Sequence, residues 1–571
     1  MAQAVDVVFL WHMHQPDYRA DGSGEFLLPW VYLHAIKDYS DMAYHLEQHP
    51  GVRAVVNFVP VLLDQLEDYT QQFSSGSLRD PLLRLLARES LEGLQAEECD
   101  LILDSCFRSD HAKMVAPYPS YKRLADLYQM LGGGATTTLG YLSGQFYADL
   151  LTWYHLVWCG ESLRREHQLV IGLMSKAENF SYADRRALFD LIGREIARII
   201  PRYRALAERG QIEISTTPHT HPLAPLLLDF RSARDSVHDS SLPQSQAYPG
   251  GRSRVQAQLQ SAMRSHQARF GSQPQGIWPA EGAVSTALLE VLAEQGCSWT
   301  ASGQGVLANS LSHLGVPIEH RVQYLYRPYR VASAPSVCCF FRDDRLSDAI
   351  GFEYASWNGN DAAHHFVSQL ESIAHQAPES DVPIVSVILD GENAWEYYPY
   401  NGYHFLNDLY TMLEQRKYLR TTTYRDYMAE CHKGGKHGPV CRGELSQLLA
   451  GSWVYGTFST WIGSPDKNLA WDLLCMAKQN YDMVMASGRL TDDERRAAEK
   501  QLSACESSDW FWWFGDYNPA HAVASFDRLY RRNLAHLYQL LKLPAPAVLE
   551  QPISHGSVSH VEAGGTMRRG S

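Results

Sequence analysis

The sequence predicts an α/β fold, and three observations carry that reading. Short β-branched or apolar runs recur along the chain, most are separated by stretches of helical periodicity, and several end at once in polar residues of catalytic type. Alternating strand and helix implies a parallel sheet, and chemistry gathered at strand ends is what closed or open parallel sheets present. Seven runs qualify as strands, at 5–14, 52–60, 211–222, 275–282, 297–302, 336–344 and 383–393. Seven is close to a barrel.

Between most of these runs lie helical patterns such as "SRVQAQLQSAMRSHQARF" and "STALLEVLAEQG", the second closed by Gly296 as a helix stop. Two regions break the alternation. Residues from about 61 to 205 carry helical periodicity with few strand signals and read as a helical insertion between the second and third strands. After Tyr403 the pattern is again mostly helical, so the expected organisation is a catalytic α/β domain over 1–402 and a helical domain over 403–549. The remaining 550–571, rich in Gly, Ser and His, is expected to be a disordered tail.

Composition narrows the function classes. With 571 residues, 45% hydrophobic and 20% charged, the chain can bury a large core. A formal net charge of −14 argues against nucleic acid or an anionic membrane as the main partner. The N-terminal stretch lacks a basic segment and its apolar run is too short for a signal sequence or a span, so a cytoplasmic location is expected. Ten scattered cysteines without a CxxC pair read as reduced core thiols, Cys338 and Cys339 in a buried strand among them.

Several strand ends carry chemistry. Asp390 follows "IVSVIL" and Glu281 follows "GIWPA", each at the carboxyl end of an expected buried strand. Such acids can cap the next helix or pair with an arginine. Here Trp278 precedes Glu281 by three residues and Trp395 follows Asp390 by five. Rings beside acids suit a sugar, whose C–H faces stack while its hydroxyls bond to carboxylates. Two HxH patterns also stand at strand ends, His12 with His14 and His219 with His221. On extended backbone, residues two apart share a face, so each pair can point into one pocket as sugar-hydroxyl partners or as metal ligands. A further cluster, "ESSDWFWWFGDYN", places Asp509, Trp510, Trp512, Trp513 and Phe514 together, as an interdomain plug that also reaches a polar pocket. With "GSWVYGTFSTWIG" (451–463) it places the helical domain over one side of the barrel mouth.

As a set, "HMHQP", "GQIEISTTPHTHP", "GIWPAEGAVS", "VILDGENAWEYYPYNG" and "ESSDWFWWFG" resemble the five ordered motifs of glycoside hydrolase family 57, an α-glucan-active family. The resemblance implies a distorted (β/α)7 barrel with a helical domain packed against it and a retaining mechanism. It implies Glu281 as nucleophile and Asp390 as general acid/base. It points to His12, His14, Glu213, His221, Trp278, Glu392, Trp395, Asp509 and Trp513 for sugar binding. The expected partner is an α-glucan or maltooligosaccharide, with no cofactor and no metal. The wording of the fourth and fifth motifs looks closest to the amylopullulanase and α-amylase-like branch, and less like the branching enzymes. One departure stands out: relatives often carry an aspartate after the fifth strand, where this chain has Ser302 and Gly303.

Retaining chemistry needs two carboxyls roughly 5 to 5.5 Å apart in opposite protonation states. The expectation is an ionised Glu281 and an Asp390 kept protonated by burial and by the charges of Glu281 and Glu392. A 4-α-glucanotransferase would use the same pair, and a non-catalytic glucan-binding protein would keep the pocket without turnover.

Overall fold

The computed structural model describes residues 4–19, 22–132, 142–378, 382–392, 394–433 and 442–557. Each of the seven expected runs is a strand: Val5–Met13 (β1), Ala54–Phe58 (β2), Ile212–Thr216 (β3), Gly276–Ile277 (β4), Trp299–Ser302 (β5), Ala334–Phe341 (β7) and Ile384–Asp390 (β8). They run parallel in the order β7-β5-β4-β3-β2-β1-β8. The sheet curls until its edges meet just beyond β7, where Arg342 bridges Ser386 of β8 and the Asp343 amide donates to Ser386 O at 2.8 Å. This is a (β/α)7 barrel, distorted at β4, which keeps only two residues of strand.

The apolar runs are continuous because both faces of these strands are buried. All nine residues of β1 are buried. Alternate residues divide between two cores: Val8 and Leu10 join Val55, Trp299, Phe340 and Ile388 inside the barrel, while Val7, Phe9 and Trp11 face the helices outside. The same period of two puts His12, Asn57, Ser215, Arg342 and Asp390 on the inward-facing parity at the carboxyl end. Three short strands lie outside the sequence reading: Tyr329–Val331 (β6), antiparallel to β7; Gly443–Leu445 (β10), parallel to β6; and Leu419–Thr421 (β9), parallel to β1. Three residues are too few to leave a periodic signal.

Among the described residues, everything regular between Phe58 and Ile212 is helical, ending in the 27-residue helix Tyr182–Glu208, whose start is fixed by a capping box between Ser181 and Asp184. Beyond β10, helices Pro465–Ala486, Asp492–Cys505 and Ala520–Leu540 pack together, with the short helix Asp509–Trp513 between the second and third. Trp510, Phe511 and Phe514 fill the space among Trp471 and Tyr530. The turn before this short helix is tied to the barrel through the Pro222–Ser507 bridge and the Ser508 amide, which donates to His221 O at 2.8 Å.

Part of the expected tail is ordered. The amides of Ile553 and Ser554 donate to Asp527 Oδ1 at 2.8 and 3.2 Å, and Ser554 Oγ donates to Asp466 at 2.8 Å. Ile553 supplies the apolar anchor that a composition-based reading of 550–571 averages away; residues 558–571 lie outside the described residues. The nine described cysteines are all buried. Among the described residues no helix is long and apolar enough to cross a membrane.

Candidate active site

A pocket of about 890 Å³, its open mouth included, lies at the carboxyl end of the barrel. Asp390, the last residue of β8, sits in register with His12 of β1. The next amide, Gly391 N, donates to His12 O at 2.7 Å, and a Cβ on Gly391 would fall 2.2 Å from Met13 Sδ, so a larger residue here would push the Met13 side chain aside.

Glu281 sits in the 3-10 turn Ala280–Gly282 after β4, on a left-handed backbone with φ 60° and ψ 22°. A non-glycine residue in this region stores strain of about 1 kcal/mol or more, which the surroundings must over-determine. They do so through segment 451–453, which pairs with 281–284: Val284 N donates to Gly451 O, Gly451 N to Val284 O, and Trp453 N to Glu281 O. Trp453 is thereby laid over the carboxylate, its indole N–H donating to Glu281 Oε2 at 3.2 Å. Ser508 Oγ lies 3.3 Å from the other oxygen, Oε1. Burial and the charges of Asp509 and Asp390 push the Glu281 carboxyl up to about 8. Glu281 is therefore a raised carboxyl, contrary to the expectation that it is ionised. Asp509, brought in from a distant segment, supplies a repulsion invisible in the sequence around Glu281.

Glu392 is buried beside Asp390. Its Oε1 accepts from the amide of His14 (3.1 Å), Gln15 Nε2 (3.3 Å) and the Tyr39 hydroxyl (3.3 Å). Its Oε2 has no hydrogen-bond partner among the described residues. Burial first, then the charge of Asp390, raise its pKa far above the usual carboxylate range, so it stands as a neutral acid. Arg342 supplies the fixed positive charge of the pocket. Its guanidinium donates to Ile388 O, Asp344 and Asp348 at 2.8, 2.8 and 2.7 Å, and its centre lies 5.7 Å from the Trp453 ring.

The histidines form a layered set. His14 and His221 stack face to face with ring centroids 3.8 Å apart, and His14 Nε2 contacts Asp509 Oδ2 at 2.9 Å. His221 Nε2 contacts His12 Nε2 at 3.2 Å, its Nδ1 contacts Ser508 Oγ at 2.9 Å, and His12 Nδ1 contacts Asn57 Oδ1 at 2.7 Å. Burial and mutual repulsion keep His12 at about 3 and His221 well below its ordinary value. Ligand atoms of His14, His221 and Asp509 fall within 4.8 Å of one another, a spacing a cation could bridge. As the side chains stand, both nitrogens of His221 are engaged in hydrogen bonds, to His12 Nε2 and Ser508 Oγ.

His219 of the second HxH pair turns away, its Nε2 contacting Asp64 Oδ2 at 3.0 Å. Of the residues assigned from the sequence to catalysis or sugar binding, His12, His14, His221, Glu281, Asp390, Glu392, Asp509 and Trp513 line this pocket. Three do not. Glu213 lies near the start of β3, toward the opposite end of the barrel, accepting from Trp299 Nε1 at 2.8 Å and from the Arg425 amide at 2.9 Å. Trp278 is fully buried in the barrel interior beneath the pocket, and Trp395 packs outside β1 on Trp11, its N–H donating to Gly391 O. Proximity to an acid in sequence does not say on which side of a strand a ring falls. Conversely, Trp453, Arg342, Trp512, Gln15, Tyr18 and Phe352 line the pocket without having been assigned to it. Trp453 and Arg342 lie within stretches already noted, and strand parity would have found Arg342.

The sequence matches the profile of glycosyl hydrolase family 57 over residues 8–439. The chain belongs to glycosyl hydrolase family 57. Solved structures agree on the fold. A GH57 branching enzyme of Thermococcus kodakaraensis superposes with a TM-score of 0.59 at 17% identity, covering 94% of this chain and 90% of that one. A GH57-type branching enzyme of Pyrococcus horikoshii gives 0.56 at 16% identity, covering 100% and 99%. An α-amylase of Thermotoga maritima gives 0.55 at 14%, covering 95% and 93%. No curated protein matches the sequence. After β5 this chain has Ser302 and Gly303, and Trp453 packs directly on Gly303. Ser302 Oγ donates to Gly282 O at 2.6 Å, and a Cβ on Gly303 would fall 2.6 Å from Trp453 Cα. An acid side chain here would displace the segment that covers Glu281.

Proposed function

We propose that this family 57 protein is a retaining α-glucan hydrolase that cleaves α-1,4 and also α-1,6 glucosidic bonds through a glycosyl-enzyme intermediate on Glu281. The observation that carries this reading is the meeting of Glu281 and Asp390, from opposite sides of the barrel, in one pocket walled by Trp453, Trp512 and Trp513. A glucan chain would stack its C–H faces on those rings. Asp390 would protonate the leaving oxygen while Glu281 attacks the anomeric carbon, after which Asp390 would draw a proton from the incoming water. Glu392, neutral and with Oε2 open, would donate to a sugar hydroxyl, and His14, whose Nδ1 has no partner among the described residues, would meet another.

The test is chromatography of products from maltoheptaose and, separately, from pullulan, with Glu281→Gln as control. Shorter maltooligosaccharides together with maltotriose from pullulan are expected. Products longer than the maltoheptaose supplied, with pullulan untouched, would identify a 4-α-glucanotransferase instead. Binding without any products would identify a non-catalytic glucan-binding protein. A cytoplasmic location belongs to the same proposal.

A further inference from the structure

A line of hydrogen bonds runs from Glu281 into the barrel wall, and its hydrogen count is constrained. Four contacts link Glu281 Oε1 to Ser508 Oγ (3.3 Å), Ser508 Oγ to His221 Nδ1 (2.9 Å), His221 Nε2 to His12 Nε2 (3.2 Å) and His12 Nδ1 to Asn57 Oδ1 (2.7 Å). Each contact needs one hydrogen between its two atoms. Asn57 Oδ1 supplies none, because the amide is oriented by its nitrogen, which donates to Ser215 Oγ at 2.9 Å. The Thr217 hydroxyl lies between the same Oδ1 (2.9 Å) and Trp278 O (2.7 Å).

The single proton of neutral His12 must then sit on Nδ1, facing Asn57. The His12–His221 contact therefore takes its hydrogen from His221 Nε2. If His221 is also neutral, its Nδ1 is bare and accepts from Ser508. Ser508 has spent its one hydrogen, so the last contact is filled from Glu281 as a carboxylic acid. With His12 neutral, the only other filling has Ser508 donating to an ionised Glu281 and accepting from the Nδ1–H of an imidazolium His221; passing that proton one contact further would charge His12 instead. The line holds one mobile proton, on Glu281 or on the His221–His12 pair.

We propose that Ser508 carries this proton between Glu281 and His221, so that the nucleophile is set free by charging a buried histidine rather than by releasing a proton to solvent. The step is balanced. The Glu281 Oε1–H bond breaks as a Ser508 Oγ–H bond forms, and the original Ser508 O–H bond breaks as His221 Nδ1–H forms; return of the glycosyl-enzyme to free enzyme reverses both. The raised pKa of Glu281 is consistent with the proton resting there before substrate enters. A sugar acquiring positive charge at its anomeric carbon favours the carboxylate form. The groups that face His221 and Glu281 are His12, His14, Asp509, Asp390, Glu392 and Arg342; burial and the neighbouring His14 and His12 disfavour a charged His221, so the histidine holds the proton only while Glu281 is engaged with the sugar. Ser508 is free for this role: it makes no side-chain cap on the helix that follows it.

The relay rests on Glu281 acting as the nucleophile, so its test has an arm that needs no turnover. In full-length protein labelled with ¹⁵N-histidine, long-range ¹H–¹⁵N correlations should show His221 neutral with its hydrogen on Nε2, and Glu281→Gln, whose amide donates as the carboxylic acid does, should keep that tautomer. A neutral Nδ1–H tautomer would mean that Glu281 is ionised at rest, with either Asn57 turned over or the proton on His12, and it would overturn the proposal. In the kinetic arm, Ser508→Ala should lower kcat about 100-fold with KM changed less than about threefold, and move the rising limb of the pH profile up toward pH 8, where Glu281 loses its proton to solvent. Ser508→Thr should restore most of the rate. Unchanged kcat and pH profile in Ser508→Ala would also overturn it. If wild type turns over no glucan, the functional reading fails and the NMR arm still decides the relay.

Discussion

Trp453 covers Glu281, donating its indole N–H to the carboxylate Oε2 at 3.2 Å while its backbone N–H holds the carbonyl of the same residue. One side chain thus fixes both the rotamer and the charge of the proposed nucleophile. The bond favours the ionised form, so removing it should push the Glu281 pKa further up. Trp453→Phe keeps a ring above Arg342 but loses the donor. A hydrogen bond to a charged group contributes about 1.5–3 kcal/mol, so kcat/KM at neutral pH should fall at least about tenfold, with the rising limb moved to higher pH. An unchanged profile would mean that Trp453 serves only as a stacking surface.

Glu392 offers a contrast, because its buried carboxyl is held neutral. Glu392→Gln preserves the acceptor that serves His14 N, Gln15 and Tyr39 and replaces the acid O–H with an amide N–H. Thermal unfolding of this variant should stay within about 3 °C of wild type. Glu392→Ala strands three donors, and at about 1–3 kcal/mol for each buried group left unpaired it should lower Tm by far more. If Glu392→Gln were as unstable as Glu392→Ala, the group would be an anion in the folded protein.

Much of this was legible in the sequence, for reasons particular residues make plain. The seven barrel strands announced themselves because burial on both faces leaves unbroken apolar runs, as in β1. His12, Asp390 and Glu281 were found because polar residues directly after such runs have little reason to be there apart from chemistry. Trp278 and Trp395 misled because rings are as useful in a core as in a sugar site, and which they join depends on packing. Glu213 misled for a related reason: on β3 it faces inward, yet it lies near the strand start, where it ties β5 to the chain after β9. Trp453 and Asp509 become neighbours of Glu281 only by tertiary folding, so the raised pKa they help set could not be read locally.

Glu506, in the turn that delivers Ser508 and Asp509, should be needed for stability. It is fully buried, and its carboxylate accepts from Arg254 Nε (2.7 Å), Tyr248 OH (2.7 Å) and Gln258 Nε2 (2.7 Å). Helix Gly251–Phe270 of the barrel is thereby bound to the turn before Asp509–Trp513. Breaking a buried pair by removing one partner typically costs about 3–5 kcal/mol. Glu506→Ala should show that loss in denaturant unfolding, whereas the double variant Arg254→Met/Glu506→Met, which leaves no orphan charge, should recover part of it. Equal losses in the single and double variants would place the cost in packing rather than charge.

Several buried acids have raised pKa values in the folded state and contribute stability that is lost as pH rises. Buried His12, His45, His155 and His221, whose pKa values are lowered, work in the opposite sense up to about pH 6.5. For such an acid, stability is fully present below its unfolded pKa and is lost as pH climbs through the folded value. Asp41, Asp80 and Asp344 are raised from 3.8 to about 6, so their part is spent by mildly acidic to neutral pH. Glu281, raised from 4.5 to about 8, extends the decline to higher pH, together with Glu392. Scanning calorimetry of wild type and Glu281→Gln between about pH 5 and 9 separates the contributions. Above about pH 7, where these histidines are neutral in both states, wild-type Tm should drop, and the variant should drop less because its amide does not titrate. Parallel curves for the two proteins would mean that Glu281 ionises in the folded protein near its unfolded value, and the burial and the repulsion from Asp509 and Asp390 would then be relieved by water entering the pocket.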